Sequence, residues 1–171
     1  MMKRIFTAFL AAALLLTSAA CGKKAPAAPT LKEGLTLKSV VDDIGNEIGI
    51  TMPAEVDESI LKDIVGIEPE DVEEYAGYVT MVMISADNFI AVKAKEGKVE
   101  TVQKALAARQ ETVVKSFEQY LPSELDKAKA GKVITIGDYV FLVILGRMDK
   151  DPAAETAVIE EMIRENFDNL A

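Results

Sequence analysis

Seven consecutive apolar residues, Tyr139-Val140-Phe141-Leu142-Val143-Ile144-Leu145, constrain the fold of this chain more than any other segment. A strand that is apolar on both faces has to be covered on both faces, so the run predicts a central strand. Val133 to Ile136 and the pair Gly137-Asp138 stand just before it, and a Gly at the first turn position favours a two-residue hairpin loop. Tyr78 to Ile84 is apolar at six of seven positions and reads as another inner strand, ended by Ala86-Asp87-Asn88. Phe89 to Lys95 follows, with Ile90, Val92 and Ala94 facing one way and Ala91, Lys93 and Lys95 the other, which predicts a second antiparallel hairpin.

Helical periods flank these strands. Leu37, Val40, Val41, Ile44 and Ile48 share one face from Thr36 to Gly49, with Thr36 as the cap. A short helix is expected from Asp57 to Gly66, with Val56 and Leu61 at the staple positions and Ile60, Leu61, Ile64 and Val65 as its buried stripe. Val99, Val102, Leu106, Val113, Phe117 and Tyr120 hold the helical period as far as Pro122. Ser123 opens a further short helix that Gly131 closes, and Asp151-Pro152 cap a last one whose Val158, Ile159, Met162, Ile163, Phe167 and Leu170 are expected to face the sheet. The pattern predicts an α+β domain, a four-stranded mainly antiparallel sheet of two hairpins packed with about four helices.

The first residues carry a different signal. Lys3 and Arg4 precede an apolar run from Ile5 to Leu16, broken only by Thr7, and the small residues Thr17-Ser18-Ala19-Ala20 lead to Cys21. This is the pattern of an export signal, too short at about 16 residues for a bilayer-spanning helix, which takes roughly 20. Ala19-Ala20-Cys21-Gly22 resembles the lipobox of bacterial lipoproteins, with Ser18 where Leu is usual; a plain secretory signal with a leftover thiol is the alternative. The expected division is a lipoprotein signal peptide over 1–20, a diacylglyceryl-modified Cys21 and flexible tether over 21–34, and a single domain over 35–171. Cleavage falls between Ala20 and Cys21, and two acyl chains at Cys21 hold a protein on a membrane far more durably than one. The expected location is the outer face of the cytoplasmic membrane.

Composition narrows the chemistry. The 171 residues include one Cys and no His, which removes triads built on imidazole and two-His zinc sites. The net charge is −9 overall, but 14 basic and 27 acidic residues lie from Leu35 onward, giving −13 for the domain. Such a domain repels phosphate backbones, so no nucleic-acid partner is expected. Lys23, Lys24 and Lys32 are placed to rest on anionic headgroups while the acidic domain stands off.

Glu68, Glu70, Asp71, Glu73 and Glu74 put five carboxylates in seven residues, with Pro69 at the first position of a helical turn. Together with Tyr75 they are the candidate ligand or cation site, although their spacing matches no EF-hand loop and the turn's dipole accounts for the first three. Asp42 and Asp43 are adjacent and diverge on a helix, which argues against a paired-carboxylate acid-base site. Tyr75, Tyr78, Phe89, Phe117, Tyr120, Tyr139 and Phe141 could line a groove but fall mostly on core faces; Met81 and Met83 read as core fillers. Lys93 and Arg109 are expected in surface ion pairs with the acidic turn. No catalytic residues and no cofactor are predicted.

Gly66-Ile67 leading to Glu70-Asp71-Val72-Glu73-Glu74-Tyr75, then Ala91-Val92-Lys93-Ala94-Lys95, Phe117 with Tyr120-Leu121-Pro122, Gly131-Lys132-Val133 and Gly137-Asp138-Tyr139-Val140 resemble an uncharacterised lipoprotein family. It is that of the domain of unknown function 4358, found mostly in Gram-positive bacteria, and the resemblance spans roughly Leu37 to Leu145. One departure is Asn88-Phe89, where the family pattern carries an acidic residue just before the second strand. The resemblance implies an exported, lipid-anchored α+β domain with no established activity. The expectation is a non-catalytic module that binds a protein or another component of the cell envelope, the alternative being a small-ligand or cation receptor. The oligomeric state is left open.

Overall fold

The computed structural model describes residues 27–147 and 149–170. Within them the chain forms β1 (Thr30–Leu31), α1 (Leu37–Ile48), β2 (Pro53–Glu55), a π-helical segment (Ile60–Val65), a 3-10 turn (Pro69–Asp71), β3 (Val72–Thr80), β4 (Asn88–Ala94), α2 (Val99–Phe117), α3 (Pro122–Ala130), β5 (Lys132–Ile136), β6 (Tyr139–Ile144), α4 (Pro152–Glu165) and β7 (Phe167–Asp168). The class is α+β. The main sheet has five strands and not four, in the order β2-β3-β4-β6-β5 with every pair antiparallel, and β1 and β7 make a separate two-stranded sheet. The strand missed from sequence is β2, only three residues long and opened by Pro53, which has no N–H to donate and suits an edge.

The apolar run behaves as its composition requires. Every residue of β6 is buried, and β4 beside it is buried except at Lys93. On one face α1 and α4 pack Leu37, Val40, Val41, Ile44, Ile159 and Ile163 against Phe89, Ala91, Phe141 and Val143. On the other, α2 and the π-helical segment pack Val102, Leu106, Val113, Phe117, Leu61 and Val65 against Ile90, Val92, Leu142 and Ile144. Each fully buried Leu, Ile or Phe contributes roughly 1.5–3 kcal/mol, so this double-sided burial makes the β4–β6 pair the centre of the fold.

Local signals set the element ends. Thr36 accepts from Ser39 N and donates its own N–H to Ser39 Oγ, a reciprocal cap on α1. Asp57 accepts from Ile60 N at 2.8 Å, and Gly66 closes that segment in the left-handed region. Asp151 accepts from Ala154 N at 2.8 Å to cap α4. Gly137, at φ +57, makes the two-residue turn that pairs Ile136 with Tyr139.

Several expectations shift. The strand expected over Tyr78 to Ile84 is β3, running from Val72 to Thr80, so Met81 and Met83 are not core fillers: Met81, Met83 and Ile84 are 62%, 84% and 60% exposed. Gly77 explains the register, because a Cβ there would lie 2.7 Å from the Phe89 carbonyl oxygen, and only glycine allows the two strands to approach at that point. Ile64 also leaves the core; i→i+5 bonding widens the turn, so Leu61 and Val65 share the buried side and Ile64 rolls outward. The long helix stops at Phe117 instead of running to Pro122. Val158 and Leu170 face solvent, and Phe167 lies in β7. Thr30 and Leu31, placed in the tether from sequence, pair with Asp168 and Phe167.

Candidate functional site

An open, largely apolar groove lies at one end of the sheet, where the β3–β4 loop meets the C-terminal half of α2. Thr80, Met81, Val82, Met83 and Ser85 form one wall, Val113, Ser116, Phe117 and Tyr120 the other, and Ile64 closes a side; the groove holds about 320 Å³. Its rim is apolar side chain in water, since Tyr120 is 51% exposed beside Met81 and Met83. Large apolar groups standing together at a surface mark a binding face more often than packing. Methionine suits such a face because its unbranched, polarisable chain adapts to different shapes.

The base of the same loop is fixed. Asn88 donates through Nδ2 to the Ala86 and Asp87 carbonyls at 3.0 and 2.8 Å. Ala86 N donates to Glu124 Oε2, Asp87 Oδ2 accepts from Thr51 N, and Lys127 Nζ reaches Asp87 Oδ1 at 2.6 Å and Glu124 Oε2 at 2.9 Å. Burial pulls the Lys127 ammonium down, but Asp87 and Glu124 raise it more, and it stays above its ordinary value. Ser85, Asp87 and Asn88 are buried, while Met81, Met83 and Ile84 before them project.

Arg109 forms part of the groove lining. Its Nε donates to Asn88 Oδ1 at 3.0 Å, and the two carbonyls that hold the Asn88 amide fix that acceptor. Burial lowers the Arg109 guanidinium from its ordinary value, yet an arginine remains cationic in a protein. Arg147 pairs with Glu155 and Arg164 with Glu160, but no carboxylate pairs with Arg109 among the described residues. The expected ion pair with the acidic turn is thus formed by Lys93 alone, to Glu73 at 2.6 Å.

The carboxylates of the acidic segment point to separate tasks. Glu68 pairs with Lys62 and Asp71 with Lys98, both at 2.7 Å, and Glu70 offers its backbone carbonyl to Lys95. Glu74 accepts from Leu37 N at 3.1 Å and so serves the first turn of α1. Glu73, Glu74 and Tyr75 belong to β3, with a register shift between Val72 and Glu74, and Tyr75 packs on the α2 side of the sheet. Among the described residues no group of three or more carboxylates gathers around a point where a cation would sit.

Asp42 likewise works alone, taking Lys38 Nζ at 2.9 Å and the Tyr78 hydroxyl at 2.8 Å. Burial raises its carboxyl, but those two donors outweigh it and the net direction is downward. Of the candidate aromatics, Phe89, Tyr139 and Phe141 are core, and Phe117 with Tyr120 reach the groove. A smaller cleft of about 190 Å³ beside α3 is lined by Glu124, Lys127 and Arg147, whose charges are already paired. Ala20 and Cys21 lie outside the described residues.

The sequence could have flagged the groove through one signal. Thr80-Met81-Val82-Met83-Ile84 is long enough to be strand, but the small pair Ala76-Gly77 is what fits opposite Ala91 and Ile90, and this moves the start of the strand from Tyr78 to Val72. Among the described residues no helix is long and apolar enough to cross a membrane. No curated protein and no solved structure matches the chain. The model of the family described as "Domain of unknown function (DUF4358)" matches residues 46–145. That stretch contains the π-helical segment, β3, the projecting loop, β4, α2, α3, β5 and β6, and with them every residue lining the groove, so the chain belongs to the DUF4358 family.

Proposed function

We propose that the protein is a membrane-anchored extracytoplasmic lipoprotein whose domain is a non-catalytic module for docking another protein of the cell envelope. The observation that carries the reading is the projecting Met81–Ile84 segment beside Tyr120, large apolar side chains presented to water on a base held by buried hydrogen bonds. A rigid base with adaptable tips is the arrangement expected of a docking site.

The leader pattern ending at Ala20-Cys21 supports the anchor, and its position relative to the groove supports the partner. The described chain begins near Pro29, which packs over Gly137 at the β5–β6 turn. Asn88 pairs with Ile144 at the groove end of the sheet and Lys93 with Tyr139 at the turn end. At about 3.4 Å per residue these ends are roughly 17 Å apart. With Cys21 in the bilayer, a tether arriving at Pro29 would join the domain at the end away from the groove. Such placement suits a partner approaching from outside.

A photo-reactive residue at position 83 tests the reading in intact cells, with position 158, an exposed apolar site on α4, as the control. Position 83 is expected to capture a discrete partner that position 158 does not. Identical capture from both positions contradicts it. The anchor has its own test, since C21A is expected to release the protein from the membrane fraction, and retention by that variant contradicts lipidation at Cys21.

A further inference from the structure

We infer that the groove takes a protein segment bearing one carboxylate among large apolar side chains, with basic residues flanking it, and that Arg109 is the residue that binds the carboxylate. The inference rests on the docking role proposed above and names the chemistry of its partner.

Arg109 has no counter-charge among the described residues. The domain from Leu35 to Ala171 holds 27 acidic residues, and the other two arginines in it each have a carboxylate. Arg109 instead spends its Nε on the neutral Asn88 Oδ1 and lines an apolar groove. A partly desolvated cation without a counter-charge is unfavourable until an anion arrives, and the dry surroundings then strengthen the pair. The Nη1–Nη2 edge is the one that meets a carboxylate in fork geometry, and the Asn88 hydrogen bond holds the guanidinium in place for it.

The size and polarity of the groove suit such a segment: Met81, Met83, Phe117 and Tyr120 line it together with Arg109 and offer surface that an apolar side chain covers, and about 320 Å³ is room for a few side chains. The long-range field of the domain narrows the partner further. A net charge of −13 repels polyanions and anionic bilayers, so the carboxylate has to be a single one, and it favours a segment whose remaining charges are positive. The same field opposes a second copy of this chain as the occupant.

The test uses the full chain in detergent and a dye-labelled pentapeptide, Lys-Lys-Ala-Phe-Leu, with a free C-terminal carboxylate or as its C-terminal amide, read by fluorescence anisotropy. The acid is expected to bind about tenfold tighter than the amide, as a charge-assisted fork pair requires. R109Q is expected to remove that preference, so that acid and amide bind alike. N88D, nearly isosteric, supplies Arg109 with an internal carboxylate and is expected to remove the preference too, so the result does not depend on one variant folding. M83S is expected to weaken both peptides alike.

Equal binding of acid and amide overturns the inference, as does a preference that survives R109Q, or no binding of either peptide at millimolar concentration. Displacement of the acid peptide by phosphatidylglycerol vesicles, or self-association that R109Q abolishes, also overturns it, by assigning the groove to lipid or to a second copy. Partner capture at position 83 without acid-amide discrimination rejects the carboxylate chemistry and leaves the docking role standing. Failure of that capture rejects the docking role itself.

Discussion

Asp87 and Lys127, 40 residues apart in sequence, form a buried ion pair 2.6 Å long. Lys127 also meets Glu124 at 2.9 Å, and the three groups tie the end of the β3–β4 loop to α3. A single ammonium therefore stands between two carboxylates that have little access to water. The loop that carries Met81 and Met83 owes its fixed base to that arrangement.

K127M is expected to be the most disruptive substitution in this network. It leaves the Asp87 and Glu124 side chains, 3% and 9% exposed, without their cation, and breaking a buried pair on one side costs about 3–5 kcal/mol. K132M breaks the half-exposed Lys132–Glu160 pair instead and is expected to cost less than about 1 kcal/mol. Chemical denaturation of both variants beside the parent chain measures the difference.

Two of the shifted groups illustrate how stability depends on pH. Hydrogen bonds from Lys132 and Arg164 hold the Glu160 carboxyl below its ordinary value. Its contribution is present above the ordinary carboxylate range and is lost as pH falls through its lowered folded-state value. Lys127 has the opposite sign: its stabilisation is full below the ordinary lysine value of about 10.4 and is lost as pH rises through the raised folded-state value. Denaturation midpoints measured across acid and alkaline pH are expected to show a flatter acid limb in E160Q and a flatter alkaline limb in K127M.

Gly77 sits where β3 crosses closest to β4. G77A places a Cβ 2.7 Å from the Phe89 carbonyl oxygen and 2.9 Å from Ile90 Cα, both backbone atoms that cannot swing aside. The expected loss is about 1–3 kcal/mol by denaturation, the usual range for overpacking. M83S, by contrast, alters a side chain 84% exposed and is expected to stay within about 0.5 kcal/mol of the parent.

The acidic segment is expected to act as structure. E74A removes the acceptor of the Leu37 N–H at the start of α1 and should cost about 1 kcal/mol, as loss of a helix cap does. E70A removes a side chain that makes no ion pair among the described residues, the Lys95 contact being to its backbone carbonyl, and should cost little. Because the carboxylates are dispersed among separate lysines, millimolar Ca²⁺ is expected to leave the melting temperature unchanged; a rise with Ca²⁺ concentration contradicts this.

What the sequence discloses and what it conceals divide along physical lines. The doubly buried β6, the caps at Thr36, Asp57 and Asp151, and the Gly137 turn depend on local composition, and each is legible. Register is not local. Apolar residues from Tyr78 to Ile84 satisfy a strand pattern, and only the close approach at Gly77 reveals that the pairing lies nearer Val72. That one displacement moves Met81 and Met83 from expected core to groove wall. Arg109 was visible as a charge, but its isolation from carboxylates depends on contacts that no spacing predicts.

Methionine-methyl NMR of the full chain, titrated with the free-acid Lys-Lys-Ala-Phe-Leu peptide, tests the groove most directly. Met81 and Met83 line it, whereas Met162 packs among α1, α4 and the opposite face of the sheet. Saturable shifts of the Met81 and Met83 methyl signals, with Met162 unmoved, are the predicted result. Stationary Met81 and Met83 signals at saturating peptide, or equal movement of Met162, would contradict the account.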